Sequence, residues 1–157
     1  MKLPARAAVF AAISAELDRL LKEAEAAATF ARETATAKEN AAENKYDTLG
    51  LEAAYLAHGQ SERAATLLQD RATFERLANL ATPSSAGAGA LVLLSYEAGG
   101  TRCFLLAPCQ GGLAVTADGT LVHVVTPEAP LGRALLGQSP GDEITTPTGP
   151  AELLALQ

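Results

Sequence analysis

The stretch FAAISAELDRLLKEAEAAATFA, residues 10–31, decides the fold. Its apolar side chains Phe10, Ile13, Leu17, Leu20, Ala24, Ala27 and Ala31 recur at spacings of three and four. That recurrence is a heptad seam, the pattern of a helix that packs lengthwise on another helix. Pro4 suits the first turn, where a missing N–H costs nothing. Lys2 and the Ala-rich run after it look slightly like a signal peptide, but Arg6 interrupts the apolar region and Glu16 and Asp18 follow at once. The stretch therefore reads as helix.

The seam weakens over residues 34–45, where Thr34, Thr36, Lys38, Glu39, Asn40 and Asn44 gather. A second run follows in Leu49, Ala53, Leu56, Ala64, Leu67, Phe74 and Leu77, softened by Gly50 and Gly59 at about 1 kcal/mol each relative to Ala. Two helices of roughly 33 residues would each be about 50 Å long. Neither can bury its seam alone. The economical solution is an antiparallel hairpin over residues 1–81 with its tip near 36–45, and the alternative is one continuous helix in a dimeric coiled coil.

Composition changes after residue 80. The first 80 residues hold 22 of the 34 Ala, while the remainder holds seven of eight Pro and eleven of thirteen Gly. Residues 82–90, with Thr82-Pro83-Ser84-Ser85-Ala86-Gly87-Ala88-Gly89, read as a short flexible linker. Beyond it lie strand signals at 91–96 and 102–107, joined by Glu97-Ala98-Gly99-Gly100. A second hairpin runs over 113–116 and 121–126 around Asp118-Gly119. Pro127 to Pro130 open a short helix over 131–136, which Gly137 closes. Short strands at 143–146 and 152–156 complete a small antiparallel sheet in residues 91–157. The class is α+β.

Charge excludes some functions. A net charge of −6 and a pI near 4.9 argue against a main grip on nucleic-acid phosphates. No uncharged stretch reads as a 20-residue span, so no membrane partner is expected. Two cysteines cannot build a disulfide framework, which points to a reducing cytosol and a cytoplasmic protein. Cys103 and Cys109 are six apart without a CxxC or HxxxH pattern and read as packed thiols. His58 and His123 read as structural or solvated, and Gly99-Gly100 and Gly111-Gly112 as turns without phosphate-loop spacing.

Glu39, Glu43 and Asp47 lie four apart, which would line one face at the start of the second helix. They complement a helix N-terminus, or they form a carboxylate group at the end of a long rod.

Residues 126–137, Thr-Pro-Glu-Ala-Pro-Leu-Gly-Arg-Ala-Leu-Leu-Gly, followed by Gly141-Asp142 and Pro147-Thr148-Gly149, resemble the C-terminal domain of the Gre transcription elongation factors. In that family the motif sits in an FKBP-like domain that follows an N-terminal antiparallel coiled coil. The resemblance covers nearly the whole chain. It implies a cytoplasmic accessory factor rather than an enzyme, with a bacterial-type RNA polymerase as partner and only indirect contact with nascent RNA. Its C-terminal domain would dock at the rim of the polymerase secondary channel through Glu128, Pro130, Leu131, Gly132, Arg133, Leu135 and Leu136. Its coiled-coil tip would reach the polymerase active centre, placing Thr36, Glu39, Asn40, Glu43 and Asp47 there.

The family's tip pattern is Ala-Arg-x-x-Gly-Asp-Leu-Ser-Glu-Asn-Ala-Glu-Tyr. Aligned without a gap from Ala31-Arg32, its Glu-Asn pair falls on Glu39 and Asn40, its Asp on Thr36 and its Ser on Lys38. A second register puts the pair on Glu43 and Asn44, with Tyr46 following, and the Asp position on Asn40. Either register keeps one carboxylate and loses the other. No cofactor of its own is implied. Glu39 is the residue expected to meet the polymerase's catalytic Mg²⁺. The expected function is modulation of elongation or of backtracked-RNA cleavage. The alternatives are a secondary-channel competitor without cleavage stimulation and an FKBP-like chaperone or interaction module.

Overall fold

A computed structural model describes residues 2–39 and 47–157, with the side chains of 38, 39, 47 and 49 left aside. The elements are α1 (Arg6–Glu39), α2 (Asp47–Ala78), β1 (Leu91–Tyr96), β2 (Thr101–Leu106), β3 (Ala114–Ala117), β4 (Thr120–Val125), α3 (Pro130–Leu135), β5 (Glu143–Thr146) and β6 (Gly149–Leu156). They fall into two compact units. One comprises residues 1–14 and 72–157, the other residues 15–71. No described helix is long and apolar enough to cross a membrane.

In the 15–71 unit the helices run antiparallel. Arg71 pairs with Asp18 at 2.9 Å, and Arg32 donates to the Ser61 hydroxyl at 2.7 Å. The buried seam of α1 is Leu17, Ala24 and Ala31 with Leu21, Ala28 and Ala35, two strict seven-residue rows. Two expected seam residues, Leu20 and Ala27, are only half-buried. Their C-terminal neighbours Leu21 and Ala28 take the places, because the row that faces the partner is four residues after Leu17 and Ala24, not three. On α2 the row is Gly50, Ala57 and Ala64, with Leu67 beside it. Leu56, expected inside, is 55 % exposed because the seam passes one residue later, through Ala57. Small side chains let the two backbones approach. Each buried methyl-sized group then contributes only about 0.8 kcal/mol, so this seam is thin.

The other unit carries a six-stranded sheet in the order β3-β4-β2-β1-β6-β5. It is mixed, not wholly antiparallel as expected, because β2 and β4 pair in parallel, Phe104 opposite His123. The chain leaves β2, makes the β3–β4 hairpin, and lays the second arm of that hairpin beside β2. The hairpin turn is the expected Asp-Gly, with both residues at positive φ, 49° for Asp118 and 74° for Gly119.

One face of the sheet carries a core of Val92, Leu94, Phe104, Leu106, Ile144 and Leu153 with Leu135 of α3. The opposite face, including Leu91, Leu93, Cys103, Leu105, Val122 and Val124, is also buried. This unit also holds the helix-end residues Val9, Phe10, Ile13, Phe74 and Leu77, all buried, with the rings of Phe10 and Phe74 6.4 Å apart. Burial pushes the Cys103 thiol pKa up, as a thiolate there would lose its hydration. Neither Cys103 nor Cys109 is in a disulfide, and Cys109 is half-buried.

Residues 82–90 read as flexible from their Ser and Gly content, and the structure corrects this. Ala86 and Ala90 are buried. The Ala86 N–H donates to Gln138 O, its carbonyl accepts from Gly137 N–H, and Gly89 N–H donates to Leu106 O, all at 2.8 Å. Small side chains here serve close packing, with Gly89 at a φ of 82° that favours glycine.

Candidate functional site

Two sets of residues came from the sequence, one between the long helices and one around α3. At the turn, Thr36 is exposed on α1, one residue beyond Ala35, the last buried seam position described before the turn. Glu39 is the last residue of α1 and Asp47 the first of α2. The two belong to different helices, so Glu39 does not share a face of the second helix with Asp47 as expected. Asn40 and Glu43 lie outside the described residues, as do the side chains of Glu39 and Asp47. Among the described residues no group of three or more His, Cys, Asp or Glu could hold a metal ion.

The α3 segment is built by local rules. Ala129 adopts an extended N-cap conformation, Pro130 occupies the first turn, and Gly137 follows the helix at a φ of 79°. The seven expected docking residues then separate into two groups. Leu135 is fully buried in the core against the sheet. Gly132 is buried too, and a Cβ there would collide with the backbone carbonyl of Thr126. Both hold α3 down, which corrects their expected role as contact residues. Glu128, Pro130, Arg133 and Leu136 are exposed, and Leu131 is half-buried. Leu136 leaves 44 % of its surface to solvent, and Arg133 is exposed as well.

Sequence reasoning missed Arg6. Its Nη2 donates to Leu77 O at 2.6 Å, Nη1 to Ala78 O and Leu80 O at 3.2 Å, and Nε to Gly89 O at 3.2 Å. One guanidinium thus satisfies the carbonyls at the end of α2, where a cation also meets the negative end of the helix dipole. It lies 4.8 Å over the Phe10 ring. The signal was present, since Arg6 is the only charge between Lys2 and Glu16. Nearby, the Ala5 N–H donates to the Asp118 carboxylate at 2.9 Å, and the Gln157 side chain donates to Pro4 O at 3.1 Å.

His58 is exposed beside Glu62 at 3.4 Å, and the ring of His123 lies tilted to that of Phe104, 6.0 Å between centres.

No protein-family profile matches the chain, and no curated protein matches it. Among solved structures it is similar to GreA factor homolog 1 (Gfh1) of Thermus thermophilus, at 19 % identity and a TM-score of 0.35, over 92 % of this chain and 94 % of that one. A second structure, of the transcription factor Gfh1, gives 18 % identity and 0.39 over 96 % and 94 %. Gfh1 of Thermus aquaticus gives 20 % and 0.36 over 90 % and 92 %.

Proposed function

We propose that this chain is a Gre-like accessory factor that binds a bacterial-type RNA polymerase through its secondary channel and modulates elongation. The observation that carries the reading is the inverted packing of the long helices. Beyond Leu17, Leu21 and Leu67 the inside is Ala24, Ala28, Ala31, Ala35, Ala57 and Ala64, while Phe30, Leu51, Tyr55, Leu56 and Leu68 stand outside at 49–71 % exposure. A hairpin that buries mostly alanines along this stretch and leaves large side chains outside gains little there from its own core. It has much to gain from a partner that covers it. The Pro-Leu-Gly-Arg-Ala-Leu-Leu-Gly motif at 130–137 supports the same reading, with Pro130, Arg133 and Leu136 outward.

Capture of the full chain by immobilised core polymerase tests the proposal, and failure to bind at low salt overturns it. The docking face has its own test. Arg133→Glu combined with Leu136→Asp changes two exposed positions and leaves Gly132 and Leu135 in place. Affinity for core polymerase is expected to fall at least about tenfold, roughly the effect of losing a single strong contact. Unchanged affinity with a normal thermal transition would remove this face from the interaction.

The tip favours weak or absent stimulation of RNA cleavage. Mg²⁺ binds through few carboxylates and dehydrates reluctantly, so loss of one of two acids removes much of the recruitment. Thr36 offers a neutral hydroxyl in one register, and Lys38 adds a cation two residues on, partly screened by salt. Glu39 is the remaining candidate to meet the polymerase's ion. On a backtracked complex, slow cleavage with the unmodified protein and faster cleavage with Thr36→Asp are expected. Thr36 is exposed, so the helix tolerates the change. Fast cleavage by the unmodified protein, abolished by Glu39→Ala, would refute the importance of the missing acid. A prolyl-isomerase reading lacks an aromatic cleft among the described residues: Phe104 is buried in the core, and Arg102 lies 5.2 Å over the Tyr96 ring.

A further inference from the structure

We draw no further inference here: the strongest candidate, the lateral groove between the long helices lined by Glu25, Ala28, Thr29, Arg32, Ala64 and Leu68, carries none because nothing in the structure shows what covers it.

Discussion

Gly132→Ala is expected to destabilise the unit of residues 1–14 and 72–157 by about 3 kcal/mol, the upper end of ordinary overpacking. In an exposed helix the same change would help by about 1 kcal/mol, because alanine is the better helix former. Here the new methyl meets the carbonyl oxygen and carbon of Thr126 and the Cα of Pro127. These are backbone atoms that no rotamer change can move. Thr126 O also accepts from the Ala129 N–H at 3.1 Å, which fixes it further. The helix must lift, and Leu135 must then leave the core. Urea denaturation measures the loss. Gly59→Ala is the control, since a methyl at that mid-helix position meets nothing within 4 Å and stability should rise by up to about 1 kcal/mol. Equal behaviour of the two variants would show that contact at Thr126 does not hold α3 in place.

Arg6→Met is expected to cost about 3–4 kcal/mol. Hydrogen bonds to a charged donor contribute about 1.5–3 kcal/mol each, and two of the four, to Leu77 O and Gly89 O, are partly buried. The two exposed carbonyls, of Ala78 and Leu80, can turn to water and add little. Methionine keeps most of the apolar stem against Phe10, so the loss reports the guanidinium rather than the packing. For a chain of this length the melting temperature should fall by roughly 10 °C. Arg6→Lys should recover only part of it, because an ammonium cannot reach four carbonyls in a planar fork. Full recovery by lysine would mean that charge alone matters at this position.

Much of this was legible in the sequence. Heptad spacing located both long helices, and Asp118-Gly119 located its turn because only residues tolerant of positive φ serve there. The one-residue slip in the seam was not legible. Leu20 and Leu21 are both leucines, and which one faces inward depends on the partner helix. Leu56 misled for a related reason: size suggested burial, whereas close approach of the helices selects Ala57. The parallel pairing of β2 with β4 comes from a non-local choice that no local pattern encodes. Within α3 the motif was legible as a unit, but its division was not. Only the position of Thr126 shows that Gly132 is glycine for lack of space. At the tip, residue types could be read, while Asn40 and Glu43 lie outside what the structure describes.

The pairing of β1 with β6 has a consequence for synthesis on the ribosome. Leu94 needs Leu153 as its neighbour, and Pro4 and Ala5 need Gln157 and Asp118. Closing loops this long costs entropy before any contact repays it. The stretch 15–71 is continuous and can pair its helices as soon as it emerges. Pro4 and Ala5 must wait until Gln157 and Asp118 have been made. Nascent chains stalled between residues 120 and 149 should therefore show protease protection within 15–71 and cleavage ahead of Arg6. Early protection of the amino terminus in such chains would mean that it finds a temporary cover elsewhere.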